Sequence, residues 1–306
     1  MAEIRATRFG RGVGLGFALG VIGGACALAA PALMDWNDLL GRPHPHADER
    51  LSYGGATQQV VDVWRPAGKG PFPVVFMIHG GCWSSKVANL TIMDYAADDL
   101  RRRGVAVCNI DYRGYDVPGG GYPGTYQDVA TAARLLEKDA GREGLDLSRL
   151  AVLGHSAGGH LAVWIVGKGA IRSGPLAGAS GLHPKAVLVL GGLPDLATAA
   201  DGCGPESVAA MVGPASAARP DPLSDTSGAA VLPLRVPQIV INAADDGIAP
   251  PAVGEAWTAK AVSAGDKVKR LVPPGGHVEE IAPGSTAWDE AAERVVAALG
   301  VRPANK

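Results

Sequence analysis

The pentapeptide GHSAG at residues 154–158 constrains the fold of this chain more than any other feature. It follows an apolar run at residues 150–153 and precedes a helical pattern over residues 157–167. A serine with glycine two positions away on either side is typical of a sharp strand-to-helix turn that exposes the hydroxyl. Side chains at the two glycine positions would hold the strand and the helix apart. The pattern therefore predicts a strand–turn–helix unit with Ser156 as a nucleophile.

The rest of the chain alternates short apolar runs with helical patterns, which predicts an α/β fold: a mostly parallel central sheet with helices on both faces. Most runs are continuously apolar, as expected of strands covered on both faces. The predicted strands are 59–64, 74–78, 105–110, 150–153, 186–190, 238–241 and 268–271, and the predicted helices are 89–103, 126–139, 157–167, 252–264 and 286–299. We expect a single domain over residues 35–306, because no linker divides it.

Residues 191–236 lack the alternation of apolar runs and helical patterns, and they are rich in Gly, Pro, Ala and Asp. A long irregular insertion in a compact domain is usually a lid or a binding loop, and otherwise a surface excursion without a role. We expect this insertion to shape the substrate pocket.

Composition excludes several classes of protein. With 47% hydrophobic and 19% charged residues among 306, the chain is not of the disordered type. Its formal net charge of −2 disfavours a nucleic-acid partner. The four cysteines have no metal-ligand spacing and do not indicate a disulfide framework, although the sequence allows one disulfide bridge. Nothing in the sequence implies a metal or an organic cofactor.

The N-terminus carries three arginines, followed by a charge-free run over residues 12–34. This pattern predicts a signal peptide cut after Ala29 or Ala32, or an N-terminal membrane anchor, within residues 1–34. A glycine-rich extension of a cytosolic protein is the third alternative. Because positive charges before the apolar run stay inside, we expect an extracytoplasmic location for the body of the protein.

A second motif, HGGCW at residues 79–83, directly follows a predicted strand. Unshielded backbone N–H groups in such a loop can converge on a developing oxyanion. We expect Gly81, Cys82 and Ala157 to donate these N–H groups. His79 lies far upstream of Ser156, so a structural role is expected for it.

The general base follows from chain order, since the histidine comes after the nucleophile and the acid in this arrangement. His160 lies one turn along the helix that follows Ser156, and His183 precedes a strand. His277 follows the last predicted strand on a Pro-Pro-Gly-Gly loop, at the carboxyl edge of the sheet. We therefore predict His277 as the base.

The acid is expected after the preceding strand, where Asp245 and Asp246 are adjacent. It must hold the base in the correct tautomer and stabilise its protonated form. Asp246 is preferred and Asp245 is kept as the alternative. Glu279 and Glu280 come too late in the chain for this role.

Together these motifs resemble the α/β-hydrolase superfamily, and more narrowly the esterase and kynurenine-formamidase-like (BD-FAE-like) group. The resemblance covers residues 60–299 and rests on HGGxW at 79–83, DYR at 111–113 and GHSAGGHLA at 154–162. The acid pattern of that group, HGxxDxxVP, maps onto residues 242–250 and places the acid at Asp246. Asn242 and Ala243 replace its first two residues, and Cys82 replaces an oxyanion-loop glycine.

The resemblance implies a serine hydrolase that cleaves carboxylic esters through an acyl-enzyme. An arylformamidase or another small-amide hydrolase, or an oligopeptidase, could use the same triad. A non-catalytic binding module on an inactive hydrolase is the alternative from another class. The expected partner is a small-molecule ester or amide, with possible membrane attachment through the N-terminal segment. The sequence leaves the oligomeric state open.

Overall fold

The computed structural model describes residues 32–178 and 182–301, and the described chain forms one eight-stranded sheet. The strands lie in the order β1-β2-β4-β3-β5-β6-β7-β8, and only the pairs β1–β2 and β2–β4 are antiparallel. Their bounds are β1 Glu49–Ser52, β2 Val60–Trp64, β3 Phe72–Ile78, β4 Ala106–Ile110, β5 Leu145–His155, β6 Ala186–Leu190, β7 Gln238–Ile241 and β8 Val268–Leu271.

Eight α-helices accompany the sheet in the described residues. They are α1 Trp36–Leu40, α2 Asp94–Arg102, α3 Gly124–Glu143, α4 Ala157–Gly167, α5 Ala200–Cys203, α6 Pro205–Val212, α7 Pro251–Ser263 and α8 Thr286–Ala298. Alternate residues of the inner strands enter two separate cores. On β3, Phe76 belongs to the core that also includes residues of α3, α4 and α7, and Met77 belongs to the core that includes residues of α1, α2 and α8. This confirms the predicted α/β layering, with helices on both faces.

Strands β6, β7 and β8 have the predicted bounds, whereas β5 is longer than predicted and β1 was missed. The helix predicted at 89–103 divides into a 3₁₀ turn, Leu90–Met93, and α2. The insertion at 191–236 is less irregular than expected, because it contains α5, α6 and two 3₁₀ turns.

The compact unit that carries the sheet begins at Leu33. The predicted signal or anchor segment therefore lies almost entirely outside the described residues. Within residues 32–178 and 182–301, no helix combines the length and the apolar character needed to cross a membrane.

A disulfide joins Cys82 to Cys203 across 121 positions of sequence. The sequence allowed one disulfide bridge but did not indicate which cysteines form it. Cys108, on β4, is a buried free thiol.

Candidate active site

Ser156 lies at the turn between β5 and α4, in a backbone conformation that residues other than glycine rarely adopt. Its φ is +55° and its ψ is −124°, a sparsely populated region that is often found at functional turns. A Cβ on Gly154 would lie 2.1 Å from the carbonyl oxygen of Gly158, and one on Gly158 would lie 2.2 Å from that of Ile78. The close approach expected of this motif is therefore present, and it requires both glycines.

His277 and Asp246 meet at the carboxyl edge of the sheet, on the loops after β8 and β7. Nδ1 of His277 lies 2.8 Å from Oδ2 of Asp246. Oδ1 of the same carboxylate accepts the N–H groups of Ile248 at 2.7 Å and Ala249 at 2.9 Å. The alternative acid, Asp245, is exposed and has no such contact with the histidine.

The environment keeps Asp246 ionised. Burial raises the pKa of this carboxyl, but the hydrogen bond and charge of His277 and the two N–H groups outweigh it, so that the pKa lies below its ordinary value. An ionised Asp246 accepts the Nδ1 proton of His277, which leaves Nε2 as the free acceptor of the ring. This is the tautomer that a base for Ser156 requires.

Ser156 and His277 line the same cavity. No hydrogen bond joins the Ser156 hydroxyl to any group of residues 32–178 and 182–301, so the contact between nucleophile and base is open in this structure. Contacts of this kind tighten when substrate binds. The structure thus brings the predicted serine, histidine and acid to one place, and their catalytic roles remain predictions.

The predicted oxyanion donors also lie at this place. Gly81 and Cys82 have φ values of +101° and +50°, and both line the cavity beside Ser156. Ala157 is the first residue of α4, where backbone N–H groups are unpaired and the helix dipole favours negative charge. Among the described residues, none of these three N–H groups donates a hydrogen bond. They are free to bind an oxyanion.

His79 holds the start of this loop, as the sequence suggested. Its Nε2 lies 3.0 Å from Oδ1 of Asp111, and its ring stacks on Tyr112 at 4.3 Å between centroids. The Tyr112 hydroxyl donates to the His79 carbonyl at 3.0 Å. These contacts engage the His79 ring with Asp111 and Tyr112, which favours the structural role expected for it.

The cavity above Ser156 has a volume of about 360 Å³ and a largely apolar lining. Its lining residues are Trp36, Leu40, Gly81, Cys82, Val87, Ala88, Ile92, His155, Ser156, Ile248 and His277. None of them belongs to residues 191–236, so the expectation that the insertion shapes the pocket was wrong for the described lining. The outer wall comes instead from α1 and from residues 87–92.

Helix α1 is attached directly to the loop that carries the histidine. Asp35 caps the helix by accepting the N–H of Asp38 at 2.9 Å, and the reciprocal bond is also present. The N–H of Met34 donates to Oε1 of Glu279 at 2.6 Å, and Oε2 of Glu279 accepts the N–H of Gly276 at 3.1 Å. The sequence analysis missed this wall, although Asp35 and Asp38 have the spacing of a capping box.

A second buried carboxyl, Glu280, lies next to the His277–Asp246 pair. Its Oε2 lies 4.0 Å from Nδ1 of His277 and 3.9 Å from Nε2 of His155, and its Oε1 accepts the N–H of Ala243 at 2.6 Å. Burial, and then the charge of Asp246, raise the pKa of Glu280 well above its ordinary value. The buried site therefore favours the protonated form of Glu280, a role that the sequence did not suggest.

His155 is also neutral. Burial, and then the neighbouring His277, lower its pKa well below the ordinary value, and its Nε2 lies 3.1 Å from the carbonyl oxygen of His277. With Glu280 and His277 it forms a group whose polar atoms lie within 4.8 Å of one another. In this structure Asp246 occupies Nδ1 of His277 and the His277 carbonyl occupies Nε2 of His155, so the two histidines of this group are already engaged in hydrogen bonds.

Solved structures show what fold this arrangement belongs to. A truncated carbohydrate esterase from gut microbiota superposes with a TM-score of 0.70, over 83% of this chain and 97% of its own, at 20% sequence identity. A bacterial heroin esterase superposes with a TM-score of 0.63 over 83% and 84% at 21% identity. The chain has the α/β-hydrolase fold. At these identities the likeness concerns the fold alone.

The sequence similarity to known proteins is concentrated in the region around the turn that carries Ser156. The BD-FAE family model matches residues 61–173 of this chain. Carboxylesterase NlhH of Mycobacterium tuberculosis is 36% identical over 125 residues, which are 39% of this chain and 37% of that protein. Esterase LipC of the same organism is 35% identical over 115 residues, 37% of this chain and 28% of its own length. The matches thus span well under half of these relatives.

Proposed function

We propose that this α/β-hydrolase is a serine hydrolase that cleaves carboxylic esters through an acyl-enzyme on Ser156. One observation carries the proposal: a single cavity holds the Ser156 side chain, a histidine already bonded to an ionised aspartate, and free N–H groups at Gly81 and Cys82. The matched relatives are named esterase and carboxylesterase, which supports the same chemistry.

In the first step, Nε2 of His277 takes the proton of the Ser156 hydroxyl as its oxygen attacks the ester carbonyl. The carbonyl oxygen becomes an oxyanion and accepts hydrogen bonds from the N–H groups of Gly81, Cys82 and Ala157. Asp246 stabilises the positive charge that forms on the histidine. Collapse of the intermediate expels the alcohol, which receives its proton from Nε2.

In the second step, His277 removes a proton from water, and the hydroxide oxygen attacks the acyl group on Ser156. The same N–H groups bind the second oxyanion. Collapse releases the carboxylic acid and returns the proton to the serine oxygen. Every proton transfer passes through Nε2, so the bond from Nδ1 to Asp246 keeps one tautomer throughout.

The cavity lining favours a neutral, apolar substrate group. Trp36, Leu40 and Ile92 cover the outer side, and no lysine or arginine lines this cavity within the described residues. Removing apolar surface from water contributes about 25 cal/mol per Å². The substrate is therefore a small ester with a hydrophobic acyl or alcohol group.

The location proposed for the protein is extracytoplasmic, reached through a signal peptide or an anchor in residues 1–34. The disulfide between Cys82 and Cys203 supports this location, because disulfides persist in oxidising compartments and are rare in the cytosol.

A direct comparison of substrates tests the proposed activity. The protein from about Asp35 onward should hydrolyse 4-nitrophenyl esters of two to eight carbons with a kcat/KM at least tenfold above that for an aryl formamide. Ser156→Ala should lower kcat by about 10⁴-fold or more. A phosphonate probe should label Ser156 in the wild type and leave the variant unlabelled.

Two results would contradict the proposal. Equal ester hydrolysis by Ser156→Ala would remove the serine mechanism. A kcat/KM for the formamide above that for every ester would replace ester hydrolysis by small-amide hydrolysis at the same triad.

A further inference from the structure

The disulfide connects the oxyanion loop to the insertion at residues 191–236. Cys82 lies in the loop after β3 and lines the cavity beside Ser156, while Cys203 is the last residue of α5. The sequence analysis treated Cys82 only as a donor with a bulkier side chain than glycine. The bond gives that side chain a partner within the insertion.

Two restraints act on the backbone at Cys82: the N–H of Ser84 donates to the carbonyl of Gly81 at 2.9 Å and closes a turn around Cys82 and Trp83, and the disulfide holds the side chain. Gly81, Cys82 and Trp83 have consecutive positive φ values of +101°, +50° and +56°. For a residue with a Cβ this region is sterically disfavoured, so an unrestrained cysteine favours negative φ. A change in φ at Cys82 rotates the peptide plane that carries its own N–H, which is one of the proposed oxyanion donors.

The rest of the loop is held by hydrogen bonds that bypass Cys82. Asp116 accepts the hydroxyl of Ser84 at 3.0 Å and the N–H groups of Ser85 at 2.7 Å and Lys86 at 3.0 Å. The carbonyl of Trp83 accepts the N–H of Tyr115 at 2.8 Å. Within the described residues, neither the N–H nor the carbonyl of Cys82 makes a hydrogen bond. Its disulfide is the strongest link that this residue has to the remainder of the fold.

The other end of the disulfide is anchored to the body. The carbonyl of Cys203 accepts the hydroxyl of Ser207, on α6, at 2.8 Å. Helix α6 is fixed in turn by α3 and the residues before it, since its carbonyls accept the Tyr122 N–H at 3.0 Å and the Tyr126 hydroxyl at 3.1 Å. The sulfur of Cys203 therefore gives Cys82 a fixed reference point.

We propose that Cys203 is a positioning residue for the oxyanion hole: through the disulfide it holds Cys82 in the left-handed conformation that aims the Cys82 N–H at the reacting oxygen. This role rests on the proposed ester hydrolysis at Ser156. It gives the insertion a function in the chemical step, although no residue of the insertion lines the described cavity.

The first test replaces the distant cysteine and leaves both donors unchanged. Cys203→Ser should lower kcat for a short ester at least tenfold, because misplaced oxyanion donors act on the transition state, while KM changes less than threefold. The second-order rate of Ser156 phosphonylation should fall by a similar factor, since the phosphoryl oxygen occupies the same donors. A purely structural disulfide would lower Tm alone, so all rates are measured at least 20 °C below the Tm of each variant.

Reduction of the folded wild type covers the case in which the variant does not fold. Dithiothreitol should lower the wild-type kcat toward that of Cys203→Ser, with the appearance of two thiols, and should leave the kcat of the variant unchanged. The double variant Cys82→Gly/Cys203→Ser also lacks the disulfide, but glycine adopts positive φ without steric cost. Its kcat should exceed that of Cys203→Ser by threefold or more.

Three outcomes would overturn the proposal. They are a kcat for Cys203→Ser within twofold of the wild type, a fully reduced wild type with unchanged kcat and labelling rate, or equal kcat values in the single and double variants. Failure of the proposed function is a separate result. A wild type that is labelled by phosphonate but turns over no ester contradicts ester hydrolysis, and the labelling rates of the variants still decide the role of Cys203.

Discussion

The two sides of Ser156 are built by different means. On the acid–base side, side chains hold one another: His277 bonds to Asp246, whose second oxygen accepts two backbone N–H groups. On the oxyanion side, the working groups are backbone N–H groups, and their direction depends on φ values of +101° at Gly81 and +50° at Cys82. The first side depends on charge and tautomer, and the second on backbone conformation.

This difference predicts how each side responds to substitution. A change on the acid–base side that preserves shape can still remove the charge and the tautomer. On the oxyanion side the donors belong to the main chain, so only changes that move the backbone matter. The predictions that follow test this contrast from the largest expected effect to the smallest.

Asp246→Asn keeps the shape of the acid and should lower kcat by about 10⁴-fold, because an amide no longer fixes the Nδ1–H tautomer of His277. The matched control is Asp245→Asn at the exposed neighbouring position, which should stay within threefold of the wild type. Steady-state ester hydrolysis measures both. A larger loss in the Asp245 variant would move the acid to that residue.

Gly81→Ala tests the backbone side. An added Cβ would meet the Cβ of Ala88 at 2.7 Å on a backbone with φ of +101°, so the loop must shift. A displacement of about 1 Å can cost about 10²-fold in rate, and we expect a loss of that size in kcat. Gly55→Ala, at a position with no atom within 4 Å of the added carbon, is the control. Unchanged kcat in folded Gly81→Ala would show that this backbone tolerates change.

Glu280→Gln tests the neutral acid, with little direct effect on kcat expected. Burial and Asp246 raise the pKa of Glu280 in the folded state. The protonated carboxyl therefore contributes fully to stability below the unfolded-state pKa of about 4.5. This contribution is lost as pH rises toward the pKa of the folded state. Relative to the wild type, the variant should gain up to about 1.4 kcal/mol in unfolding free energy per pH unit above 4.5. Urea denaturation at several pH values measures this gain, and parallel curves would show that Glu280 is ionised in the fold.

The sequence was most informative where local chemistry sets local structure. Three features could be interpreted without knowledge of tertiary contacts. They are the two glycines beside Ser156, the continuously apolar strands, and the chain order of Ser156, Asp246 and His277. β1 was missed because Glu49–Ser52 is a partly polar edge strand whose pairing with β2 alone defines it.

The sequence could not predict features that depend on packing between distant segments. The wall formed by α1 is only five residues long, and its place over the cavity depends on the bond between Met34 and Glu279. The neutral state of Glu280 depends on its burial beside Asp246. Cysteines separated by 121 positions carry no spacing signal, so the partner of Cys82 could not be named.

The disulfide has a second consequence, for the unfolded chain. It closes a loop of 121 positions that includes β4, β5 and β6 and the nucleophile itself. In the chain-entropy model, a cross-link of this length disfavours the denatured ensemble by about 5 kcal/mol, which is comparable to the whole stability of many domains, about 5–15 kcal/mol. A cut in the backbone anywhere between the two cysteines would also leave both fragments covalently joined. Resistance of the fold to unfolding and to separation after backbone cleavage therefore depends on the same bond that reaches the oxyanion loop.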